Sequence, residues 1–516
     1  MTSRDAEKTL VVEEVVRADD IASNAVLSEE PYSAFTVNEK WAIVLLIATG
    51  AFFSPLSANI YFPVIPTIAK AFHKSIELIN LTVTLNMVFQ GLTPMIWGSL
   101  SDTYGRRHIF ISCLVILSLS CVGLALTPTS AYWLLLFLRC FQAAGSASTI
   151  ALGAGVIGDI STRAERGGFF GLFSIGPMVG PTLGPVLAGV FADKLGWRCV
   201  GVWALVLPLD VVPVHRAIFW FLCISSGICA VVLILFLPET LRTIVGNGSI
   251  PPPKIYNAVI PIIGRTARRS PASSSSSTGR NTFQNPLLIL LQVDILILLL
   301  INALNFAVFY GVTTSISSVF VDAYPHLTDT ELGLCFLPIG AGLILGSVFH
   351  GKILNWEYRR LKRKAKDVHE DDFPIEKARL RSLPFLLASF VGCTVGYGWC
   401  LQAKTHISGP LLLLVGIGLV VISVMNSIQT LMLDLMPSQS SAVTACNNLI
   451  RCSLGAGLVS GIAPLLGALR PGFTYLLLGG LAGLMIPVVY LVIHVVGPRW
   501  RRKRQGLASG NALALH

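Results

Sequence analysis

Charge is scarce in this chain. Asp, Glu, Lys and Arg make up 13% of its 516 residues, about half the share of a soluble globular domain. With 53% hydrophobic residues and a mean hydropathy of +0.71, that scarcity excludes an ordinary water-soluble fold. Metal-ligand spacing is missing too. None of the eleven cysteines stands in a CxxC or comparable pattern, and most lie in apolar runs, where they read as small buried hydrophobes. No nucleophile–base pair and no phosphate-cradling loop appears, so the chain is not expected to be an enzyme, and neither metal nor cofactor is expected. The first 35 residues have no n-region, h-region and cleavage site, so no cleavable signal peptide is expected.

Long apolar runs take the place of charge. A helix needs about 20 apolar residues to cross a bilayer. Twelve runs qualify: 43–62, 80–100, 108–127, 132–157, 168–191, 218–237, 295–320, 332–350, 382–401, 409–433, 443–468 and 473–496. The expected fold is an all-α membrane protein of twelve transmembrane helices in two six-helix bundles. The net charge of +11 raises nucleic acid as a partner, but its placement argues against it. With the N-terminus in the cytoplasm, 29 of the 38 Lys and Arg residues fall in inner loops and tails, 7 in outer loops, and Arg139 and Arg451 inside spans. This is the positive-inside pattern; the excess charge encodes topology, and the partner is the lipid bilayer.

The organisation follows. Residues 1–40 read as a disordered cytoplasmic tail and 41–241 as the first bundle. Residues 242–288 read as a flexible cytoplasmic linker, with Pro251 to Pro253 and the serine run 273–277. Residues 289–497 form the second bundle, and 498–516 a basic cytoplasmic tail whose RWRRKR can meet anionic lipid. Residues 199–216 are anomalous: apolar, broken by Pro208, Asp210 and Pro213, and too short to span without inverting every later loop. Their removal joins GWR to AIFWFL in frame, the mark expected of translated intron; a hairpin on the membrane surface is the other reading. The sequons at Asn80 and Asn247 lie too near the membrane and on the cytoplasmic side, and neither is expected to carry glycan.

One decapeptide recurs. Gly98 to Arg107 reads GSLSDTYGRR after an apolar run, and 253 positions on Gly351 to Arg360 reads GKILNWEYRR after another. The recurrence implies two similar halves. In the first copy Gly98 and Gly105 suit a tight turn between spans two and three. Asp102, Arg106 and Arg107 suit charge-assisted bonds to neighbouring helix ends that form in one conformation and break in another. A purely topogenic loop is the alternative.

Inside the spans, Arg139 is the sharpest residue. A charge at mid-helix costs about 2.5–3.5 kcal/mol on insertion scales, so it must face protein or water. Gln142 follows three places on, on the same face. An arginine cannot release a proton near neutral pH and acts only by biasing an acid or a water; no Asp or Glu is central in a first-half span. In span five Gly176, Gly180 and Gly184 recur every fourth residue, each followed by proline (Pro181 after Gly180), a pattern for close helix contact with bending. Amides gather in several spans: Asn59 in span one, Asn86 and Gln90 in span two, Asn302 and Asn305 with Phe309 and Tyr310 in span seven, Asn426 in span ten, and Asn448 with Arg451 in span eleven. They are either helix-to-helix glue or the lining of a cavity suited to amphipathic cations.

These motifs carry a resemblance. GSLSDTYGRR resembles the loop signature of the major facilitator superfamily, and the span-four run from Leu138 to Gly145 resembles its span-four motif. The span-five run Gly176 to Pro185 is similar to the antiporter motif of drug exporters, with Pro185 where many members have glycine. Asn59 to Pro66 and Pro238-Glu239-Thr240 are similar to motifs of twelve-spanner drug:proton antiporters. FPIEKARLRSLP and SAVTACNNLIRC resemble the fungal quinidine-resistance subgroup. Over roughly residues 40–500 the resemblance implies export of amphipathic drugs or toxic metabolites in exchange for protons, by alternating access, from a monomer in the plasma membrane or, second, a vacuolar membrane. It implies a proton-coupling role for Arg139 with Gln142, and in span five a pliable interface between halves. A transporter of a defined metabolite (polyamine, organic acid or nutrient) and a non-transporting sensor are the competing readings.

Overall fold

The computed structural model describes residues 32–162, 165–194, 214–253, 256–263, 286–364, 375–436, 440–493 and 500. The first 31 residues of the expected tail, residues 199–213 of the insert, the serine run and the RRKR of the C-terminal tail lie outside the described residues. A bilayer offers backbone groups no water, so an apolar run must pair its own N–H and C=O groups. The described residues do so as helices, with no strand among them. The first half contains α1 (Val37–Asn59), the short α2 (Ile65–Phe72), α3 (Ile76–Tyr104), α4 (Arg106–Leu126), α5 (Tyr132–Ile160), α6 (Arg166–Lys194) and α7 (Val214–Phe236). The second contains α8 (Val293–Ala323), the short α9 (Asp329–Leu334), α10 (Leu337–Lys364), the short α11 (Ile375–Leu380), α12 (Leu383–Gln402), α13 (Ser408–Leu435), α14 (Ser440–Gly483) and the short α15 (Met485–Leu491).

Ten stretches of the described residues are long and apolar enough to cross a membrane. One of them, Val443–Leu491, is broken at Arg470 (φ 60°, ψ 161°), just before Pro471, and therefore crosses twice. A further helix, the 29-residue α3, is less apolar because it carries Asn80, Asn86 and Gln90, and completes the twelve. Large apolar side chains such as Trp133 (69% exposed), Leu412 (72%) and Phe385 (76%) stand on the outer surface, where lipid covers them.

The two halves repeat one pairing. α1 lies along α6, α3 along α5, and α4 along α7. In the second half α8 lies along the first part of α14, α10 along α13, and α12 along the part of α14 beyond Arg470. First packs with fifth, second with fourth and third with sixth in both.

Three local expectations are corrected. Gly98 to Tyr104 is not a loop: α3 runs on to Tyr104, and the turn is Gly105 alone, at φ +100°. The second decapeptide makes no turn, because α10 continues through it to Lys364. No atom lies within 4 Å of where a Cβ would stand on Gly98 or Gly351, so neither glycine answers a steric need. Nor does the segment after α7 hang free from residue 242. Val259 and Ile260 donate backbone N–H groups to the carbonyls of Ile234 (3.4 Å) and Leu235 (2.9 Å), and Tyr256 packs edge-on against His108 at 4.5 Å.

Candidate functional site

Arg139 is 0% exposed and lies two turns into α5. Its guanidinium carbon sits 4.2 Å from the centroid of the Tyr61 ring, which follows the end of α1. Nη1 donates to the Ser57 carbonyl (3.5 Å) and to Gln142 Oε1. Nε and Nη2 have no hydrogen-bond partner. The surrounding side chains are bound to one another: Tyr61 and Thr82 share a hydroxyl bond at 3.1 Å, and Asn86 Nδ2 donates to the Arg139 carbonyl at 3.3 Å. Gln142 Nε2 donates to Cys121 Sγ at 3.3 Å. Gln142 and Asn86 are thus committed to their neighbours, and Asn86 ties α3 to α5. Asn59, 2% exposed, spends its amide on the Pro55 carbonyl at 2.7 Å, one helical turn back.

A second arginine stands in the other half. The Arg451 guanidinium carbon lies 4.4 Å from the Phe306 ring centroid, and Nη2 donates to Asn448 Oδ1 at 2.7 Å. Asn448 Nδ2 reaches across to the Gln90 carbonyl of α3 at 2.9 Å, joining the two bundles. One helical turn away, Asn302 donates to Asn447 and Asn447 to Gln429, each at 2.8 Å. Arg451 Nε is unpartnered, and so are both amide atoms of Asn305, which is 2% exposed. Phe306, Phe309 and Tyr310 form one aromatic group with centroids 4.4–6.4 Å apart. Asn426 is half-buried on α13, its carbonyl accepting from Thr430.

The bundles meet at mid-depth and towards the end remote from Tyr104 and Lys364. Thr84 bonds Ser460 at 2.7 Å, Ser317 donates to the Phe62 carbonyl at 3.2 Å, and Phe62 packs edge-on to Tyr310 at 6.2 Å. Gly91 leaves room for Cys452, Gly455 for Met87, and Gly340 for Thr182. The span-five glycines differ from expectation. A Cβ on Gly180 would stand 2.6 Å from Pro55, one on Gly184 2.8 Å from the Ile60 nitrogen, and one on Gly176 would strike the Ala48 carbonyl. The stripe, with Pro181 among it, therefore packs α6 onto α1 of its own bundle. The face that meets the other bundle carries Thr182, Pro185 and Gly189.

At the opposite, basic end a charge cluster surrounds Gly105. Arg106 pairs with Asp159 at 3.0 Å, both 14% exposed, and with Asp102 at 2.7 Å. Asp102 is 62% exposed, so that second pair contributes little. Arg107 donates to the Ile234 carbonyl at 2.7 Å. Glu239 accepts from the backbone N–H groups of Arg106, Arg107, Thr240 and Leu241 at 2.9–3.3 Å, an acid on the N-terminus of α4. Outside the spans, the hydrogen bond from Lys40 (3.0 Å) holds the Glu165 carboxyl below its usual range.

Four partners were missed in the sequence. Tyr61, beneath Arg139, lies within the run Asn59 to Pro66, but only tertiary contact gives it a role. Glu239 and Asp159, near span ends, find theirs on other helices. His350, 4% exposed, bonds Ser427 Oγ at 2.6 Å and ties α10 to α13. The available signal was rarity: in so apolar a chain each ionisable residue near a span is worth tracing.

Twelve lipid-covered helices in two bundles of repeated pairing, with polar networks at their joint, define a membrane transporter rather than an enzyme. The chain belongs to the Major Facilitator Superfamily, whose sequence pattern matches residues 47–460. It is 35% identical to Citrate exporter 1 of Aspergillus niger over 93% of this chain and 91% of that one. It is 34% identical to Quinidine resistance protein 1 of Saccharomyces cerevisiae over 86% of this chain and 82% of that one. Among solved structures, it resembles a bacterial homologue of the human lysosomal transporter Spinster (TM-score 0.59, 14% identity, 90% of this chain and 97% of that one). The xylose transporter XylE of E. coli is similar to the same degree (TM-score 0.58, 11% identity, 89% and 98%).

Proposed function

We propose that this chain exports small amphipathic organic molecules by alternating access, taking protons in exchange. Its two bundles rock about a site at their joint, between Arg139 and Arg451. The observation that carries this reading is the asymmetry of the joint: hydrogen-bonded and glycine-packed contacts gather at mid-depth and at the end away from the basic loops. A state closed at one end is what one half of an alternating cycle requires. Aromatic side chains beside unsatisfied amides suit molecules with an apolar body and a polar group. The relatives' names, one a citrate exporter and one a quinidine-resistance protein, agree with outward movement of such molecules. The basic end faces the cytoplasm in this reading, the protein acts as a monomer, and the plasma membrane is its site.

The test is a deletion strain screened against a compound panel, followed by efflux from vesicles made with the purified chain. Arg139→Ala should abolish efflux while the protein remains in the membrane; efflux at the wild-type rate removes Arg139 from the mechanism. Collapsing the pH gradient at constant potential should slow efflux; an unchanged rate removes the proton from the cycle.

A further inference from the structure

Within the twelve spans the sequence holds two formally charged side chains, Arg139 and Arg451, and both are positive. Neither has a carboxylate partner among the described residues. Three acids near the span ends are engaged elsewhere: Asp159 with Arg106, Asp434 with Arg379 at 2.8 Å, and Glu239 with four backbone N–H groups. Each arginine instead lies over an aromatic ring and retains an N–H with no acceptor, Nε and Nη2 on Arg139 and Nε on Arg451. Buried charge is costly unless a counter-charge and hydrogen bonds meet it. Here the protein supplies the cation and withholds the anion, at two places flanking α3. Asn86 of that helix touches the Arg139 backbone, and the Gln90 carbonyl, one turn on, receives Asn448 from beside Arg451.

We propose that the cargo is an organic anion, an amphipathic carboxylate whose charged end is received by Arg451 and Asn305 while Arg139 keeps the surrounding potential positive. This rests on the exporter reading above and names the substrate class of the same site. A guanidinium offers a planar fork of donors that matches a carboxylate, and a hydrogen bond between ionised partners is about twice as strong as a neutral one. Asn305, buried with both amide atoms free and adjacent to Phe306, adds a donor. Phe306, Phe309 and Tyr310 cover the apolar body. An amine cargo would bring a third positive charge to a place with none of the opposite sign, and like charge there acts as a filter. The expectation of a lining suited to amphipathic cations is reversed.

The purified full-length chain in phosphatidylcholine nanodiscs tests this with matched probes: 2-naphthoate, its amide and 2-naphthylmethylamine, the corresponding benzene series, and citrate. Carboxylates should raise the unfolding temperature; the amides and amines should not. Arg451→Gln should weaken carboxylate binding about tenfold or more, the range for a lost hydrogen bond to a charged group. Arg451→Lys, which keeps charge without the fork, should weaken it less and preserve the order of the probes. Amines binding as tightly as carboxylates overturn the proposal, as does unchanged carboxylate affinity in Arg451→Gln. So does stabilisation by phosphatidylglycerol with none by any carboxylate, which would assign the arginines to lipid headgroups. Carboxylates that bind but are not carried across a vesicle leave this inference standing and remove the exporter reading. Amines carried while carboxylates neither bind nor move do the reverse.

Discussion

Gly105 is the residue least able to accept a side chain in the turn between α3 and α4. Its φ of +100° is open to glycine and strained for other residues, and a Cβ would stand 2.5 Å from Glu239 Oε2. Gly105→Ala should therefore lower stability by about 1–3 kcal/mol, read by thermal unfolding of the purified protein. Gly98→Ala and Gly351→Ala lie in helices with open space at Cβ and should stabilise by roughly 0.5–1 kcal/mol. Damage from Gly351→Ala equal to that from Gly105→Ala would show that the second decapeptide does turn. A pH effect belongs at this scale too. The folded-state carboxyl of Glu165 is depressed by Lys40, so its contribution is present above the unfolded carboxylate range and is lost as pH falls through the folded value. Glu165→Gln should be slightly less stable than wild type at pH 7 and converge with it in acid. Arg139 was legible in the sequence because a charge inside an apolar run must have a reason. Tyr61 was not, since nothing in the residue's own surroundings says that a guanidinium will lie over its ring.

At the scale of elements, α6 has two faces with two jobs. The glycine–proline face lets α1 approach to backbone contact, which fixes the interior of one bundle. The Thr182–Gly189 face meets α9 and α10 of the other bundle through Gly333 and Gly340. Gly340→Val should wedge the bundles apart at that end and shift the protein toward its other state. A spin-label distance between residues on α6 and α10 should lengthen, and a disulfide engineered across the same pair should form more slowly. Gly180→Val should instead disrupt α1–α6 packing and lower stability without lengthening that distance. The spacing of four was readable along the chain. Which neighbour the stripe touches was not, because a helix's periodicity defines a face and leaves its partner open.

Across the whole molecule, direction and energy are coupled to charge. If the cargo is a carboxylate and the basic end is cytoplasmic, export carries negative charge out of a compartment held negative, worth about 2.3 kcal/mol per charge at 100 mV. A potassium-diffusion potential imposed on vesicles, positive on the receiving side, should accelerate carboxylate efflux, and reversing its sign should slow it. Equal rates at both signs would mean the charge crosses with a compensating ion. Epitope tags at 245 and 365 should both be hidden from antibody applied outside intact cells.

The amino-acid order alone was enough to put this chain in lipid, to count its crossings and to reveal two repeated halves. Each of these follows from local quantities: apolar length, loop charge, and the cost of an unpaired backbone in hydrocarbon. Folding in three dimensions was needed to show that Gly105 alone makes the turn, that the span-five glycines serve their own bundle, and that two arginines flank one helix with no acid among the described residues to meet them. Those outcomes depend on which faces of separate helices come together, and that is settled by packing between segments far apart in the chain.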